Sequence, residues 1–258
     1  MSIQSLKGKV VVVGGGAKNL GGLISRSFAA DGAKLAVHYN SLSTQAAAME
    51  TVAAIQAMGG EAVAIQGDLT KPADAARLFD MAMQQFGRVD IAVNTVGRVL
   101  KKPFTETTEA DYDDMFAVNA KAAFFFIQEA GKRIAPSKPG LQGGGKIISI
   151  VTSLLAAFTG QYATYAGSKA AVEHFTRAAA KEFGPRGISV TSVAPGPMDT
   201  PFFYPAETEQ TIAYHKSQSM NGDLTKIEDI VPIVKFLATE GWWITGQTIF
   251  ANGGYTTR

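Results

Sequence analysis

A tyrosine and a lysine four residues apart form the chemical pattern from which this chain is best understood. Tyr165 and Lys169 lead into apolar residues at helical spacing, and residues four apart share one face of a helix. A free phenol has a pKa near ~10, which makes it a poor acid–base catalyst at neutral pH. Because a nearby ammonium group favours the phenolate and lowers that pKa, the spacing predicts a tyrosine that exchanges protons with a substrate.

Three further polar side chains are candidates for the same chemistry. Ser153 follows the apolar run 146–152, a predicted strand that delivers the hydroxyl to the mouth of the same site. Asn119 lies in an apolar helical stretch, where a buried amide needs a hydrogen-bond partner. Tyr162 is separated from Lys169 by six residues and is a second candidate tyrosine. Since a Tyr–Lys pair also occurs on solvated helix faces, the pattern needs support from the rest of the chain.

The glycine-rich segment near the N-terminus predicts a dinucleotide site. The apolar run Val10–Val13 precedes Gly14–Gly22, and an amphipathic helical pattern follows. A strand, a glycine-rich turn and a helix in this order are the context of the dinucleotide fingerprint. Glycines let the backbone approach a pyrophosphate at a helix N-terminus. A tight turn without a ligand is the simpler alternative, and the absence of Gly-Lys-Ser/Thr excludes a Walker A loop.

The end of the second predicted strand, Lys34–Tyr39, indicates which cofactor is bound. Sites for NAD place an acidic residue near this point to bind the ribose hydroxyls. Asn40 and Ser41 stand here instead, and Lys18 in the glycine-rich segment can reach toward a 2′-phosphate. We therefore expect NADP(H), although Lys18 also fits an ordinary surface lysine.

The remaining chain alternates strands and helices without a break in composition. Further strands are predicted at 61–66, 90–94, 146–152, 187–193 and 242–250, and 135–145 is a predicted surface loop. Residues 200–222 are aromatic but poorly periodic, which suits either a mobile lid over an apolar pocket or ordinary packing. The pattern predicts one doubly wound α/β Rossmann-fold domain over residues 1–258, with a parallel, seven-stranded sheet and helices on both faces.

Composition removes several classes of function. The 258 residues carry a net charge of +2 with mixed signs, which gives no footprint for nucleic acid or a membrane surface. The absence of cysteine excludes disulfides and thiolate chemistry. Three scattered histidines fit no metal-ligand spacing. The N-terminus lacks the apolar segment of a signal peptide, and no run reaches the length of a membrane span, so we expect a cytoplasmic protein.

Over nearly its whole length the chain resembles the short-chain dehydrogenase/reductase family, and most closely its ketoacyl-reductase-like members. Four segments match family motifs: Gly14–Gly21 for T-G-x-x-x-G-x-G, Asn94–Gly97 for N-N-A-G, Pro195–Thr200 for P-G-x-x-x-T, and Thr245–Gln247 with Asn252–Gly254 for T-G-Q…D-G-G. Gly14, Asn19, Thr95, Val96 and Asn252 depart from those motifs. Asparagine tolerates a left-handed backbone, so we expect the first turn to survive the change at Asn19.

The resemblance implies a catalytic tetrad of Asn119, Ser153, Tyr165 and Lys169. In it, Ser153 binds the substrate carbonyl, and Tyr165 donates a proton as hydride arrives from the nicotinamide. Lys169 lowers the pKa of Tyr165 and binds the ribose, and Asn119 holds a water that relays protons. The cofactor contacts expected from the resemblance and the strand ends are Gly15, Lys18, Asn19, Leu20, Gly21, Asn40, Ser41, Asp68, Leu69, Asn94, Gly97, Tyr165, Lys169, Pro195, Gly196, Met198 and Thr200.

The expected activity is NADP(H)-dependent reduction of a ketone to a secondary alcohol, similar to a 3-oxoacyl reductase. If Tyr162 were the proton donor, the substrate would instead be a conjugated C=C bond, because the enoyl-reductase branch of the family uses Tyr-x6-Lys. A sensor that binds NADP(H) without turnover is a third alternative. The resemblance also implies a homotetramer, with a dimer as the alternative, and a small-molecule substrate.

Overall fold

The computed structural model describes residues 5–137 and 144–257, and within them seven parallel strands form one sheet. The strand order is β3-β2-β1-β4-β5-β6-β7. The strands are β1 Val10–Gly14, β2 Lys34–Tyr39, β3 Ala62–Gln66, β4 Ile91–Asn94, β5 Lys146–Ile150, β6 Ser189–Pro195 and β7 Thr248–Ala251. The expected doubly wound parallel sheet is confirmed. Residues 1–4, residues 138–143 of the expected surface loop and residue 258 lie outside the described part of the chain.

Helices cover both faces of this sheet. They are α1 Asn19–Ala30, α2 Leu42–Ala57, α3 Pro72–Phe86, α4 Glu109–Met115, α5 Ala122–Arg133, α6 Ala163–Phe183, α7 Glu209–Ser217 and α8 Ile227–Ala238. Side chains of α1, α2 and α8 form one apolar core with the sheet, and those of α3, α5 and α6 form the other. Alternate residues of β1 enter opposite cores, Val11 and Val13 the first and Val12 the second, as a strand buried on both faces requires.

The sheet reverses its order beside β1, and this reversal creates the cleft. β1 pairs with β2 on one side and β4 on the other, with Gly14 opposite Asn94. The connections that follow β1 and β4 leave in opposite directions from these strand ends. In open α/β sheets, ligands bind in the crevice at this switch point.

Two segments differ from the sequence expectations. The last strand begins at Thr248, not at residue 242, because Glu240–Trp243 forms a 3₁₀ turn and Gly246 has a left-handed backbone with φ 69°. Residues 200–222 contain the helix α7, which the sequence pattern did not indicate. None of the α7 residues is buried, so the helix lacks the apolar stripe by which periodicity is recognised. Its N-terminus is instead fixed by a capping box of Thr208 and Thr211.

No helix in the described ranges combines the length and the hydropathy that crossing a membrane requires.

Candidate active site

The turn after β1 is shaped by two left-handed residues and one close backbone contact. Gly15 has φ 72° and Asn19 has φ 50°, so the expectation that Asn19 tolerates a left-handed backbone is confirmed. A Cβ on Gly21 would lie 2.1 Å from the carbonyl oxygen of Gly15, which leaves no room for a side chain. Lys18 occupies the N-cap of α1 without a side-chain hydrogen bond. The first N–H groups of α1 therefore remain available to an anion.

A cleft of about 520 Å³ extends from this turn across the ends of the strands. Most of the expected cofactor residues line it: Gly15, Lys18, Asn19, Leu20, Gly21, Asn40, Asp68, Leu69, Gly97, Tyr165, Lys169, Met198 and Thr200. The structure thus brings together side chains that are spread over most of the chain. The cleft also contains residues that were not expected as cofactor contacts: Ala17, His38, Tyr39, Thr44, Thr70, Thr95, Val96, Arg98, Asp114, Ala117, Val118, Ala122, Ile150, Val151 and Phe202.

Four expected cofactor residues do not line the cleft. Ser41 caps α2 and its hydroxyl bonds to Ser43. Asn94 is buried, and its side chain accepts a hydrogen bond from the N–H of Val96, so it shapes the turn after β4. Pro195 and Gly196 are buried at the end of β6, where they line a neighbouring pocket. A residue at a strand end can serve the turn itself, and sequence alone does not separate that role from ligand contact.

One observation that does not depend on any sequence motif supports a dinucleotide in the cleft. The hydroxyl of Thr200 is buried yet has no hydrogen-bond partner among the described residues, although buried polar groups are normally paired. Thr200 lines the cleft beside Met198. A hydrogen-bonding group of a bound ligand, such as the carboxamide of a nicotinamide, would satisfy this hydroxyl.

Lys169 is held at the centre of the site by backbone carbonyl groups. Its ammonium donates to the carbonyl oxygen of Ile150 at 2.9 Å and lies 3.5 Å from that of Val96. Burial lowers the pKa of Lys169 to about 8. The ammonium group is therefore mostly charged at neutral pH. Because burial disfavours the charged form, the group loses its proton at mildly alkaline pH.

Tyr165 is buried one helical turn from Lys169. Burial raises the pKa of its phenol to about 12, against a smaller lowering by the hydrogen bond with the side chain of Thr152. The expected lowering of the Tyr165 pKa is thus wrong for this structure, because burial disfavours the phenolate more than the Thr152 hydrogen bond favours it. The phenol stays protonated at neutral pH, the form that a proton donor needs.

The hydroxyl whose hydrogen bonding lowers the pKa of Tyr165 belongs to Thr152 and not to the neighbouring Ser153. Thr152 also accepts a hydrogen bond from the N–H of Leu154, which starts the 3₁₀ turn Ser153–Leu155. Ser153 is buried in the same pocket wall. Both residues follow β5 directly, so the sequence predicted a hydroxyl at this place but could not assign it to one of two neighbours.

Asn119 lies in a π-helical segment, Phe116–Lys121, between α4 and α5. Its side-chain oxygen accepts from the N–H of Arg98 at 2.8 Å, and its amide nitrogen donates to the Arg98 carbonyl at 2.9 Å and to Ser168 at 3.1 Å. The buried amide is therefore fully paired, and it fastens the turn after β4 to α6. Single π-helical turns are common at functional sites because they release main-chain groups from the helical ladder.

A second, smaller pocket of about 80 Å³ adjoins the cleft. Tyr165, Val151, Met198 and Phe202 line both spaces, so a ligand in one touches a ligand in the other. Its apolar lining includes Val99, Leu154, Pro197, Phe203 and Ala206, and its polar lining includes Tyr162, Glu207, His215 and Tyr255. Phe202–His215 comes from the expected lid region, whereas Tyr204 and Tyr214 remain exposed to solvent.

Tyr162 does not share the environment of Tyr165. Its hydroxyl bonds to the carboxylate of Glu207, and burial followed by this contact raises its pKa. The two tyrosine rings are tilted, with centroids 6.4 Å apart. Tyr162 thus lies in the pocket wall with its proton directed at a carboxylate.

Comparison with known proteins agrees with this arrangement. Residues 15–256 match a family model described as enoyl-(acyl carrier protein) reductase. A short-chain type dehydrogenase/reductase of Picea abies is 36% identical, with 96% of this chain and 93% of that protein covered. A hydroxynaphthalene reductase-like protein of Metarhizium brunneum is 37% identical, with 98% and 97% covered.

A solved structure extends the likeness to three dimensions. A dehydrogenase from Burkholderia cenocepacia with bound NADP is 59% identical, has a TM-score of 0.94, and is matched over 100% of this chain and 97% of that one. Matches of this extent and identity cover the glycine-rich turn, the tetrad positions and the last strand together. The chain therefore belongs to the short-chain dehydrogenase/reductase family.

Proposed function

We propose that this NADP(H)-binding oxidoreductase reduces a ketone to a secondary alcohol. Its membership of the family and its 59% identity to a structure with bound NADP support the cofactor. The observation that carries the ketone proposal is the position of Tyr165, a protonated phenol in the wall that the cleft shares with the small pocket. A carbonyl in the small pocket meets the proton donor on the side that faces the cofactor cleft.

The chain's own residues divide the binding of the cofactor between them. The turn from Gly15 to Gly21 and the N-terminus of α1 would hold the pyrophosphate, and Lys18 and Thr44, which line the same cleft, would hold a 2′-phosphate. Lys169 and Thr200, also in this cleft, would bind the nicotinamide end. When bound, NADPH supplies the hydride for the reduction.

The proton comes from Tyr165. With a pKa of about 12 the phenol is fully protonated at pH 7 and can donate to the oxygen that gains negative charge. Lys169, with a pKa of about 8, keeps its charge at that pH and stabilises the phenolate that remains. Thr152 is the better candidate than Ser153 for the second hydrogen bond to the carbonyl, because it already bonds to Tyr165. Asn119 holds the turn around Arg98 in place, with its side chain fully paired.

Enoyl reduction is the alternative, since the family model's description names an enoyl-(acyl carrier protein) reductase; in this chain its proton donor would be Tyr162. The contact between Tyr162 and Glu207 speaks against it, since a carboxylate acceptor favours retention of the phenol proton. A protein that only senses NADP(H) has no need for Tyr165, Lys169 and a hydroxyl group close together where the cleft adjoins the small pocket.

Paired substitution of the two tyrosines tests the proposal. NADPH oxidation is followed with aryl ketones, a 3-oxoacyl thioester and an enoyl thioester, for wild type, Tyr165→Phe and the matched control Tyr162→Phe. We expect ketone-dependent oxidation that falls by roughly 10²-fold or more in Tyr165→Phe, since general acid catalysis contributes about that much. Turnover of the enoyl thioester alone, lost in Tyr162→Phe, would assign the alternative. Binding of NADPH with no turnover of any substrate would favour the sensor.

Two further features belong to the same proposal. Residues 200–222 act as the substrate lid, because Phe202, Phe203, Ala206, Glu207 and His215 form one wall of the small pocket. A homotetramer is proposed from the family resemblance, and Trp243, 80% exposed, is a candidate contact between subunits.

A further inference from the structure

A buried polar cluster forms part of the wall of the small pocket. At its centre is the carboxylate of Glu207, with only 1% of its side chain exposed. It accepts hydrogen bonds from Tyr162 and from Lys101, the latter at 2.6 Å. His215 places Nε2 3.5 Å from the same carboxylate and Nδ1 2.8 Å from the hydroxyl of Tyr255. Within the described residues, the pocket is lined by Tyr162, Glu207, His215 and Tyr255, whereas Lys101 does not line it.

The chain builds this cluster with a strained turn. Gln161 has a left-handed backbone with φ 68°, a conformation that non-glycine residues rarely adopt. Its carbonyl oxygen accepts a hydrogen bond from the N–H of Lys102 at 2.7 Å. This contact joins two loops and sets the ammonium group of Lys101 5.5 Å from the centre of the Tyr162 ring. Strain that persists next to a pocket is commonly part of how a site is formed.

Tyr162 and Lys101 both direct a hydrogen atom at the carboxylate of Glu207. Burial alone would raise the pKa of Glu207, but hydrogen bonds from Lys101, Thr211 and Tyr162 hold that pKa below its usual value, so the group is ionised. Burial lowers the pKa of His215, which is therefore neutral. The ionised carboxylate 3.5 Å from Nε2 favours the tautomer with the proton on Nε2, and in that tautomer Nδ1 accepts the proton of Tyr255. The lining tyrosines and the carboxylate can then only accept a hydrogen bond from a ligand, through their remaining lone pairs.

We propose that the substrate of this enzyme is a compact aromatic or apolar ketone that carries a hydroxyl group as a hydrogen-bond donor, and that the cluster around Glu207 selects this hydroxyl. The inference rests on the proposed ketone reduction. The pocket lining then offers groups of both kinds: Tyr165 and Thr152 donate to the ketone oxygen, and the Glu207 cluster accepts from the hydroxyl. An ether at the same position brings a second acceptor to a wall of acceptors, and such pairing is unfavourable.

A matched set of small ketones tests the inference. Values of kcat/KM with NADPH are compared for acetophenone, its meta- and para-hydroxy derivatives and the corresponding methyl ethers. We expect one hydroxy ketone to exceed both acetophenone and its own methyl ether by at least roughly 10-fold, the gain typical of a hydrogen bond to a charged group. In Tyr255→Phe and Glu207→Gln the ratio of kcat/KM for the hydroxy ketone to that for acetophenone falls to within about 3-fold, because each change alters the group that accepts from the substrate hydroxyl.

The controls separate this inference from the proposed function. Tyr204→Phe changes a tyrosine of the same segment whose hydroxyl bonds to Asp199, and it keeps the wild-type preference. If Glu207→Gln proves unstable because Lys101 loses its charged partner, Tyr255→Phe provides the same test. Reduction of all ketones with no preference for the hydroxyl overturns the inference alone. Loss of the preference in Tyr204→Phe also overturns it, and failure to reduce any ketone overturns the proposed function with it.

Discussion

Gly97 lies beside the side chains of Lys169 and Asn119, and it has no side chain that would displace either of them. A Cβ on Gly97 would lie 3.0 Å from both the ammonium nitrogen of Lys169 and the side-chain oxygen of Asn119. That spacing is tighter than ordinary carbon contacts, so one of the two polar groups must move by a few tenths of an ångström. Both groups are already fixed, Lys169 by the Ile150 carbonyl and Asn119 by the backbone of Arg98. The geometry around Tyr165 therefore depends on a residue that carries no functional group.

We predict that Gly97→Ala lowers kcat/KM for the ketone by roughly 10-fold, because small displacements of positioned groups cost rate steeply. Steady-state kinetics and thermal unfolding of the variant check this. Gly167→Ala is the matched control: it lies on an exposed face of α6, and its Cβ would meet only Phe116 at 3.8 Å. That change should leave kinetics unchanged and add about 0.5–1 kcal/mol of stability. Wild-type kinetics in Gly97→Ala would contradict the proposed packing.

Among the elements, β2 controls the cofactor turn through one histidine. The Nδ1 atom of His38 accepts a hydrogen bond from the N–H of Gly15 at 3.0 Å, and Nε2 donates to the carbonyl of Gly67 at 2.8 Å. The imidazole thus links the turn after β1 to the end of β3 and must be neutral, with the proton on Nε2. Burial lowers its pKa to about 4, although the Gly67 contact, Asp74 and Asp68 oppose the shift.

The lowered pKa of His38 predicts that the free energy of unfolding depends on pH. An unfolded histidine has a pKa near ~6.5, above the folded value of about 4, so the unfolded chain binds the extra proton first. The stability from His38 is fully present above pH ~6.5 and is lost as the pH falls toward 4. Between pH 7.5 and 5.0 we expect a loss of about 2 kcal/mol in the free energy of unfolding, together with weaker NADPH binding. Urea denaturation and NADPH titration at the two pH values measure both.

Glutamine at this position separates the titration from the geometry. His38→Gln retains an oxygen that accepts from Gly15 and an amide that donates to Gly67, yet it does not ionise. The variant should therefore lose that part of the pH dependence, whereas His174→Gln, at an exposed residue of α6, should keep it. An equal slope in wild type and His38→Gln would show that groups other than His38 control stability in this range.

Over the whole molecule, the sequence predicted what depends on local pattern and missed what depends on contacts between distant segments. The strands with continuous apolar residues, such as Val10–Val13, and the Tyr165–Lys169 pair on one helix were predictable because period and spacing are local. The bond of Tyr162 to Glu207 joins residues 45 apart, and that of His38 to Gly67 joins residues 29 apart. Such contacts exist only after the chain has folded. For the same reason Thr152 and Ser153 could not be told apart, since residue type does not fix which hydroxyl reaches Tyr165.

The proposed homotetramer can be tested with the chain's two tryptophans, which are adjacent. Trp243 is 80% exposed in a single chain, whereas Trp242 is partly buried; large exposed aromatic side chains are typical of subunit interfaces. In Trp242→Phe, where Trp243 is the sole reporter, we expect weak quenching by iodide at micromolar protein and stronger quenching on dilution. Sedimentation velocity should show dissociation over the same concentrations. The converse variant, Trp243→Phe, reports local folding through Trp242 and should change little. A monomer with fully quenched Trp243 at all concentrations would contradict the assembly.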